Sequence, residues 1–466
     1  MKKTLLFAAA SLLLATPVLA DSQPADTQDG GVTLTMKGIT VNLGGFIEAA
    51  SIYRTRNLNS DMPSPFQKLP LANSAGYYQD ETRFSARQSR LNILVKGDYD
   101  PTIHLAGYYE MDFLGAANTA NSNESNSYNP RVRHLYTTAD WDRLGLHLLA
   151  GQTWSLVTMN NKGITPRNEV TPLTIDAQYV TGFTWARQPQ FRVTKDWNKS
   201  LWLAVSVESP QTVSSGSPTT VTVPAAGSNV SVGQGGSGAF AGSAATYSNN
   251  TYPDFVAKVA YEPGWGHFEA YDLIRVFKNS VVGGGGVNNN ETVTNAVGGG
   301  IILPLIPNQV SLQVSGIYGK GIGRYGSGQL ADVTIDHGNN INPLTEGQLL
   351  AGVTYDPTSE WNFYGYYGIE EAQRKDLAVG TTAYGYGSAD LNTNVGNTAS
   401  SKFNGQIQRV DQVTAGTWWK FFQGRFGKMQ AGLQYSYTED KYFSAAAGAP
   451  KATDNLVFAS LRYYWQ

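Results

Sequence analysis

The stretch that decides the fold is residues 102–114, which read TIHLAGYYEMDFL. Every second side chain, beginning with Ile103, is apolar, aromatic or glycine, and the positions between them include His104, Glu110 and Asp112. Successive side chains of a β-strand point to opposite faces of the sheet, so this segment has one apolar face and one polar face. A helical period of 3.6 would scatter the same residues over both faces, and the segment is therefore predicted to be a strand between lipid and water.

The alternation recurs along the chain and is clearest at 201–208, 428–437 and 455–466. Seven short connections made of turn-forming residues lie at 98–101, 141–145, 196–199, 262–266, 304–308, 356–359 and 423–427. Eight long polar connections alternate with them, near 54–83, 115–130, 157–178, 211–253, 279–291, 325–347, 376–406 and 443–454. Seven turns and eight loops join sixteen strands. We therefore predict an all-β fold, a transmembrane antiparallel β-barrel with long external loops over residues 37–466.

Composition supports a barrel in a membrane. Charged residues are 15% of the 466 residues, whereas ordinary globular proteins contain about 25%. Tyrosine (26), tryptophan (10) and phenylalanine (18) are abundant, as in the aromatic belts at membrane interfaces. Beyond residues 1–20, no uninterrupted apolar run approaches the roughly 18 residues of a membrane helix. The absence of cysteine and the net charge of −2 exclude disulfides, thiolate chemistry and a basic surface for nucleic acid.

The beginning of the chain has the pattern of a removable export signal at residues 1–20. Two lysines precede an apolar stretch at 5–14, and small residues at 18–20 supply a cleavage site. We expect residues 21–36 to form a short periplasmic segment before the barrel. Export of this kind places the barrel in the bacterial outer membrane, where lipid and lipopolysaccharide are its partners.

The predicted barrel size indicates a channel. Eight strands leave room only for side chains, whereas sixteen enclose water, so passive diffusion of small hydrophilic solutes is the expected function. Selectivity then depends on the charges at the narrowest point. We expect the third external connection, 157–178, to fold into the lumen and form that constriction. Its charged residues are Lys162, Arg167, Glu169 and Asp176.

Arginines concentrate on the strands that flank this connection. Arg90, Arg133 and Arg192 are out of phase with their apolar neighbours and are expected to face the lumen, because an arginine facing lipid costs about 2–4 kcal/mol at the membrane midplane. Arg87 breaks this pattern and is expected above the membrane, at a bulge or in a subunit interface. The candidate pore-lining residues are Arg90, Glu110, Asp112, Arg131, Arg133, Gln152, Arg187 and Arg192.

The two candidate carboxylates leave three arrangements open. Glu110 and Asp112 either face the arginines across the channel or neutralise them directly. Arginine forks left without a carboxylate would favour anionic solutes. The alternative is a charged ladder that only braces the barrel wall.

Six short segments together resemble, in order and approximate spacing, the DcaP-like trimeric porins. They are Ser89-Arg90-Leu91, Glu110-Met111-Asp112-Phe113-Leu114-Gly115, Arg131-Val132-Arg133-His134-Leu135-Tyr136, Gly151-Gln152-Thr153 with Ser155, Arg187-Gln188-Pro189-Gln190-Phe191-Arg192 and Ser206-Val207-Glu208. The resemblance implies a homotrimer of sixteen-stranded barrels that passes small anions such as dicarboxylates. It also implies that Arg90, Arg133, Arg187 and Arg192 belong to an arginine-lined channel.

Two other functions remain open on the sequence. A surface receptor or adhesin would use the long polar loops, 211–253 above all. An outer-membrane hydrolase or a weak calcium site would use His337 with Asp332 or Asp336, although a solvated loop explains the same residues. We expect no enzyme activity, no cofactor and no metal site.

Overall fold

The computed structural model describes residues 31–72, 74–115, 129–215, 229–231, 248, 250–283, 286–338, 340–377, 379, 384–387, 403–444 and 451–465. The predicted export signal and residues 21–30 lie outside this part of the chain, as do most of 211–253 and of 376–406.

Sixteen antiparallel strands form one sheet, and each strand pairs with the next along the chain. They are β1 Ile39–Arg54, β2 Arg90–Asp100, β3 Ile103–Gly115, β4 Asn129–Trp141, β5 Leu146–Trp154, β6 Arg187–Trp197, β7 Leu201–Glu208, β8 Asp254–Tyr261, β9 His267–Gly283, β10 Gly286–Ile306, β11 Val310–Lys320, β12 Thr345–Tyr355, β13 Trp361–Ala372, β14 Phe403–Gly424, β15 Gly427–Ser444 and β16 Lys451–Tyr464. Strand β1 also pairs with β16, from Phe46 opposite Tyr464 to Arg54 opposite Leu456. This pairing closes the sheet into a barrel.

Short elements complete the described fold. Strand Glu81–Ser85 continues β2 beyond an interruption at 86–89, and Gly31–Met36 pairs with the start of β1. The remaining strands are Asn229–Ser231, Val333–Ile335, Ile341–Pro343, Lys375–Asp376 and Gly385–Tyr386, and the 3-10 helices are Phe66–Lys68, Ala75–Tyr78 and Gly323–Tyr325. In the described residues no helix is long and apolar enough to cross a membrane.

The predicted alternation is confirmed strand by strand. In β7, Leu203 and Val205 are exposed on the outer face, whereas Trp202, Ala204 and Ser206 are buried on the inner face. Unlike a soluble protein, the barrel therefore has an apolar outside. The predicted short turns all fall between consecutive strands at one end of the barrel, which is the periplasmic end by their length.

The predicted long loop at 279–291 is wrong. Strands β9 and β10 continue through this segment and stay paired as far as Gly283 opposite Gly286. Glycine-rich composition predicted a loop, but residues 279–283 pair with residues 286–290 in regular antiparallel register, so the two strands bond to each other where a loop was expected.

The hydrophobic core lies inside the barrel. A cluster of buried side chains joins the connection between β5 and β6 to the inner faces of β1, β12, β13, β14 and β16. Its aromatic members are Trp154, Tyr179, Phe183, Tyr364, Tyr366, Trp418 and Phe458. The channel interior is therefore narrowed by packed protein and not only by individual charged side chains.

Candidate functional site

The connection between β5 and β6, residues 155–186, lies inside the barrel and is called the inner loop below. Its backbone N–H groups donate to side chains of widely separated strands: Leu156 to Glu208 on β7 (2.8 Å), Asn160 to Glu269 on β9 (3.1 Å), Leu173 to Tyr366 on β13 (3.1 Å) and Thr181 to Gln412 on β14 (3.1 Å). The loop therefore crosses the lumen. The expectation that the third external connection folds inward is confirmed.

A β-bulge places Arg133 in the inner wall. Glu110 pairs with His134 and Met111 with Val132, so Arg133 is the additional residue on β4. Bulges re-aim side chains, and here the guanidinium is directed between two carboxylates of β3. Its Nε donates to Glu110 over 2.6 Å, and its Nη1 lies 3.3 Å from Asp112.

Arg131 completes this cluster. Its Nε and Nη2 donate to the two oxygens of Asp112 over 3.0 and 2.6 Å, a bidentate contact. Arg133 also donates through Nη2 to the hydroxyl of Tyr179 on the inner loop, over 3.2 Å. Glu110 and Asp112 therefore neutralise arginines on a neighbouring strand and do not face them across the channel. The cluster also fixes the inner loop to the wall.

Arg187 occupies a different environment at the start of β6. Its guanidinium carbon lies 4.8 Å from the ring centre of Trp154 and 5.4 Å from that of Trp185, so two indoles hold it in place. Its Nη1 has no hydrogen-bond partner among the described residues, and none of their carboxylates forms a salt bridge with it. Arg187 is partly exposed, and the charges of Arg133 and Asp112 act on it.

Arg192 is buried on the inner face of β6, and its donors are engaged. Its Nε donates to Gln190 over 3.0 Å, and its Nη2 to the carbonyl of Trp154 over 2.8 Å. Glu169 of the inner loop is the nearby carboxylate. Burial raises the pKa of Glu169, although the positive charge of Arg192 opposes that shift.

Arg90 is buried on the inner face of β2, in a second cluster beneath the inner loop. Its guanidinium carbon lies 5.3 Å from the ring centre of Phe46, and Arg462 of β16 contacts the same ring. Gln88 and Asp176 line the small cavity that Arg90 and Arg462 share. One oxygen of Asp176 accepts from the N–H groups of Ser64 and Gln178 (3.3 and 2.8 Å), and burial raises its pKa.

The other charged residues of the inner loop are more accessible. Lys162 is exposed. Arg167 is partly exposed, and its guanidinium carbon lies 5.6 Å from the ring centre of Tyr108. Arg167 therefore contacts the inner face of β3, close to the Arg133 cluster.

The prediction for Gln152 is wrong. Gln152 is in phase with Leu148 and Ala150 of β5 and pairs with Leu135 and Pro189, which are both exposed, so its side chain lies on the outer face. Its amide donates to the carbonyl of Val132 over 3.0 Å. Arg87 lies in the interruption of β2 at 86–89. Of the three positions expected for it, this corresponds to the bulge, and Arg87 forms a salt bridge with Asp61 there.

Sequence reasoning missed a second loop that enters the barrel, residues 321–344, called the second inner loop below. Arg275 of β9 binds it: the arginine donates to Asp332 over 2.8 Å and to the carbonyl of Gly321. Arg275 is out of phase with exposed Ile274, so the phase argument used for Arg90 would have found it.

Glu370 of β13 joins the two inner loops. Its Oε1 accepts from the N–H of Gly182 in the inner loop and from that of Gly328 in the second inner loop, each over 2.8 Å. The side chain of Glu370 is fully buried. No local pattern in the sequence marks this residue, because both of its partners are backbone groups far away in the chain.

The residues proposed for a hydrolase do not converge. Asp332 is occupied by Arg275 and by the N–H groups of Val213 and Arg324. His337 is exposed and contacts the ring of Tyr384 at 5.0 Å between ring centres. Within the part of the chain that the structure describes, no group of three His, Asp or Glu residues has a metal-binding arrangement.

Comparison with known proteins shows which solved structures have a similar fold. No protein-family model matches the chain, and no curated protein matches its sequence. The structure is similar to the outer membrane channel DcaP of Acinetobacter baumannii, with a TM-score of 0.64 and 18% identity over 94% of this chain and 100% of that chain. OmpF of Salmonella typhi, solved in complex with daunomycin, has a TM-score of 0.50 and 10% identity over 93% of this chain and 100% of that chain.

These similarities agree with the architecture derived from the residues. The sheet is closed and has an apolar outer face, with short turns at one end and long loops at the other. This is the architecture of an outer-membrane barrel. The inner loop narrows a lumen lined by charged groups. This chain therefore has the fold of an outer-membrane porin and is similar to the channel DcaP.

Proposed function

We propose that this protein lets small hydrophilic solutes diffuse passively across the outer membrane and favours small anions such as dicarboxylates. The observation that supports this proposal is Arg187, a partly exposed side chain whose guanidinium has no carboxylate partner among the described residues. Two indoles hold it, so it loses little entropy when it binds a carboxylate from solution.

The charges around Arg187 favour anions. Arg131, Arg133 and Arg187 carry three positive charges, against two negative charges on Glu110 and Asp112. The carboxylates are occupied by Arg131 and Arg133, and the excess positive charge is therefore located at Arg187. A solute with a carboxylate group that reaches the exposed part of this side chain would be attracted by the excess positive charge.

The proposal includes no enzyme activity. We also propose a homotrimer in contact with outer-membrane lipid and lipopolysaccharide, as the resemblance to DcaP-like porins implies. The exposed apolar outer face requires lipid or another protein around it, because water cannot cover it without a large free-energy penalty.

The decisive experiment is the reversal potential of single channels in a planar bilayer under a KCl gradient. Arg187→Gln keeps a polar side chain between the two indoles but removes the charge, and we expect its reversal potential to move toward cation preference. Arg425→Gln is the matched control, because Arg425 is exposed in a periplasmic turn. Unchanged selectivity of Arg187→Gln, with a normal conductance, would reject the proposed site.

A further inference from the structure

The outer face of β13 to β16 changes from apolar to charged near the external end of the barrel. On β13 the outward residues run from Trp361 at the periplasmic end to Ile369, and Glu371 follows. The ten residues from Trp361 to Glu371 rise about 33 Å along the strand, or about 25 Å along the membrane normal at a tilt of about 40°. The apolar band of an outer-membrane barrel has this height, so Glu371 lies at the level of the external headgroups.

Three cations lie beside Glu371 at this level. Glu371 pairs with Arg409 of β14, Arg409 with Lys441 of β15, and Lys441 with Lys451 of β16. All four side chains are on the outer face and are exposed or partly exposed. These four residues are called the charged row below. Neighbouring strands are about 4.8 Å apart, so three like charges directly opposite one another destabilise the sheet unless anions compensate them.

Two carboxylates compensate the row from its membrane side. Asp411 accepts from Nε of Arg409 over 2.8 Å and from Nζ of Lys441 over 3.2 Å. Glu439 accepts from Nζ of Lys451 over 3.1 Å and lies 3.3 Å from Nζ of Lys441. Asp411 and Glu439 pair with each other one outward position closer to the apolar band. The three cations are therefore held in place from that side.

The cations keep donors for a further anion. Arg409 uses Nε and Nη2 for Asp411 and Tyr367, and within the described residues its Nη1 has no partner. The side chain of Lys451 is 63% exposed and that of Lys441 is 39% exposed. Each ammonium group has three N–H donors for one or two carboxylates. An anion that approaches from the external side therefore finds free donors on three neighbouring strands.

Such a row is not a general feature of the external rim. Among the described residues, the outward side chains at the external ends of β2, β3, β4, β7 and β8 are uncharged; they are Leu91, Phe113, Val132, Val207 and Phe255. On β9 and β10 the outward cation Lys278 is directly opposite the carboxylate of Glu291. Exposure to water alone would favour charges on every strand, so the row indicates a partner on one side of the barrel.

Lipopolysaccharide fits both the height and the charge of the row. It forms the external leaflet of an outer membrane, and its phosphate groups lie between its acyl chains and its sugars, at the upper edge of the apolar band. Phosphate binds guanidinium bidentately and binds ammonium as a point charge.

We propose that the charged row binds a phosphate group of lipopolysaccharide, with Arg409, Lys441 and Lys451 as the donors. Glu371 ends the row on the β13 side and restricts the phosphate to the three cations. The acyl chains of the same molecule then cover the apolar outward residues of these strands. The inference rests on the proposed contact with lipopolysaccharide and does not depend on ion preference.

Native mass spectrometry of the purified protein in detergent, titrated with bisphosphorylated lipid A, measures this binding. Lys441→Gln/Lys451→Gln removes two cations and keeps polar side chains. A basic residue at an anionic lipid surface changes binding about five-fold, so we expect the double variant to bind about thirty-fold more weakly. Lys199→Gln/Arg425→Gln is the matched control, because it removes two exposed cations from periplasmic turns, and it should bind like the parent.

Dephosphorylated lipid A separates the headgroup from the acyl chains. It keeps the chains and the sugars, so we expect the parent to bind it as weakly as the double variant binds the bisphosphorylated lipid. Inorganic phosphate at the same concentration as the lipid should not displace bisphosphorylated lipid A from the parent. Displacement would mean that the row is a site for free phosphate and would overturn the proposal.

Equal affinity of the parent and Lys441→Gln/Lys451→Gln for bisphosphorylated lipid A would also overturn it, as would equal affinity of the parent for the two lipids. The conductance and reversal potential of the double variant should match those of the parent, because the row lies outside the barrel wall. A normal conductance also shows that the variant is folded. Failure of the lipid site and failure of anion preference are therefore distinguishable.

Discussion

Arg133 and Glu110 lie on neighbouring strands and form a buried ion pair in the channel wall, with Nε of the arginine 2.6 Å from Oε1 of the glutamate. The pair runs along the wall and not across the lumen. Arg133 is therefore buried and paired, whereas Arg187 is partly exposed and forms no salt bridge within the described residues.

The first prediction concerns this pair. Arg133→Ala removes the cation from buried Glu110, which keeps only the hydrogen bond from the hydroxyl of Tyr108 (3.0 Å), and breaking such a buried pair costs about 3–5 kcal/mol. We expect that loss in the free energy of unfolding, measured by urea titration of the protein in lipid vesicles. We also expect a shift toward cation preference, because two carboxylates remain with one arginine fewer.

The double variant Arg133→Gln/Glu110→Gln provides the control. It removes both charges and should lose less stability than Arg133→Ala, because no unpaired charge is left in the wall. A double variant that is less stable than the single one would contradict the assignment of a charge pair.

The second prediction concerns the attachment of the inner loops. Glu370→Ala leaves the N–H groups of Gly182 and Gly328 without their acceptor, and each unsatisfied group costs about 1–3 kcal/mol. We expect more open-channel current noise and faster protease cleavage within 155–186. Glu371→Ala changes the adjacent residue on the opposite face of β13 and should resemble the parent in both measurements. If the open-channel current noise of Glu370→Ala equals that of the parent, the carboxylate of Glu370 does not hold the two inner loops in place.

The third prediction concerns pH. Burial raises the pKa of Asp176 and of Glu169. As the pH falls, both carboxylates therefore take up a proton at a pH above the usual carboxyl pKa of about 4. Their neutral forms suit the buried site, and the packing of the inner loop is therefore most stable below the raised pKa and weakens as the pH rises through it. Protonation also removes negative charge from the lumen, and we expect stronger anion preference at lower pH.

The reversal potential measured across a pH series checks this dependence. Asp176→Asn fixes one group in a neutral state and should flatten the pH dependence. Asp336→Asn in the second inner loop is the control: burial opposes ionisation of Asp336, but hydrogen bonds from Asn340 and Asn342 hold its pKa below the usual value. That group stays ionised over the tested range, so the slope of its variant should match the parent. Equal slopes in all three proteins would exclude Asp176.

The fold could be predicted because its signals are local. The alternation in 102–114 and the turn residues at 98–101 and 141–145 are patterns that each extend over only a few residues. A strand between lipid and water has only one orientation that places its apolar side chains in lipid and its polar side chains in water. Strict period two also places Gln152 outward with Leu148 and Ala150, so its expected position in the lumen was wrong on the same local signal. The bulge at Arg133 directs that side chain between two carboxylates, and no local pattern indicates this arrangement.

The sequence by itself determined the class of fold, the strand order and the inward direction of Arg90, Arg133 and Arg192, because period two and the cost of a charge in lipid act on each strand separately. The partners of those arginines, the entry of the second inner loop and the role of Glu370 were decided by tertiary structure alone. Such contacts depend on the register between strands and on loops that meet across the lumen. The residues involved are far apart in the sequence, so no local pattern indicates that they are close in space.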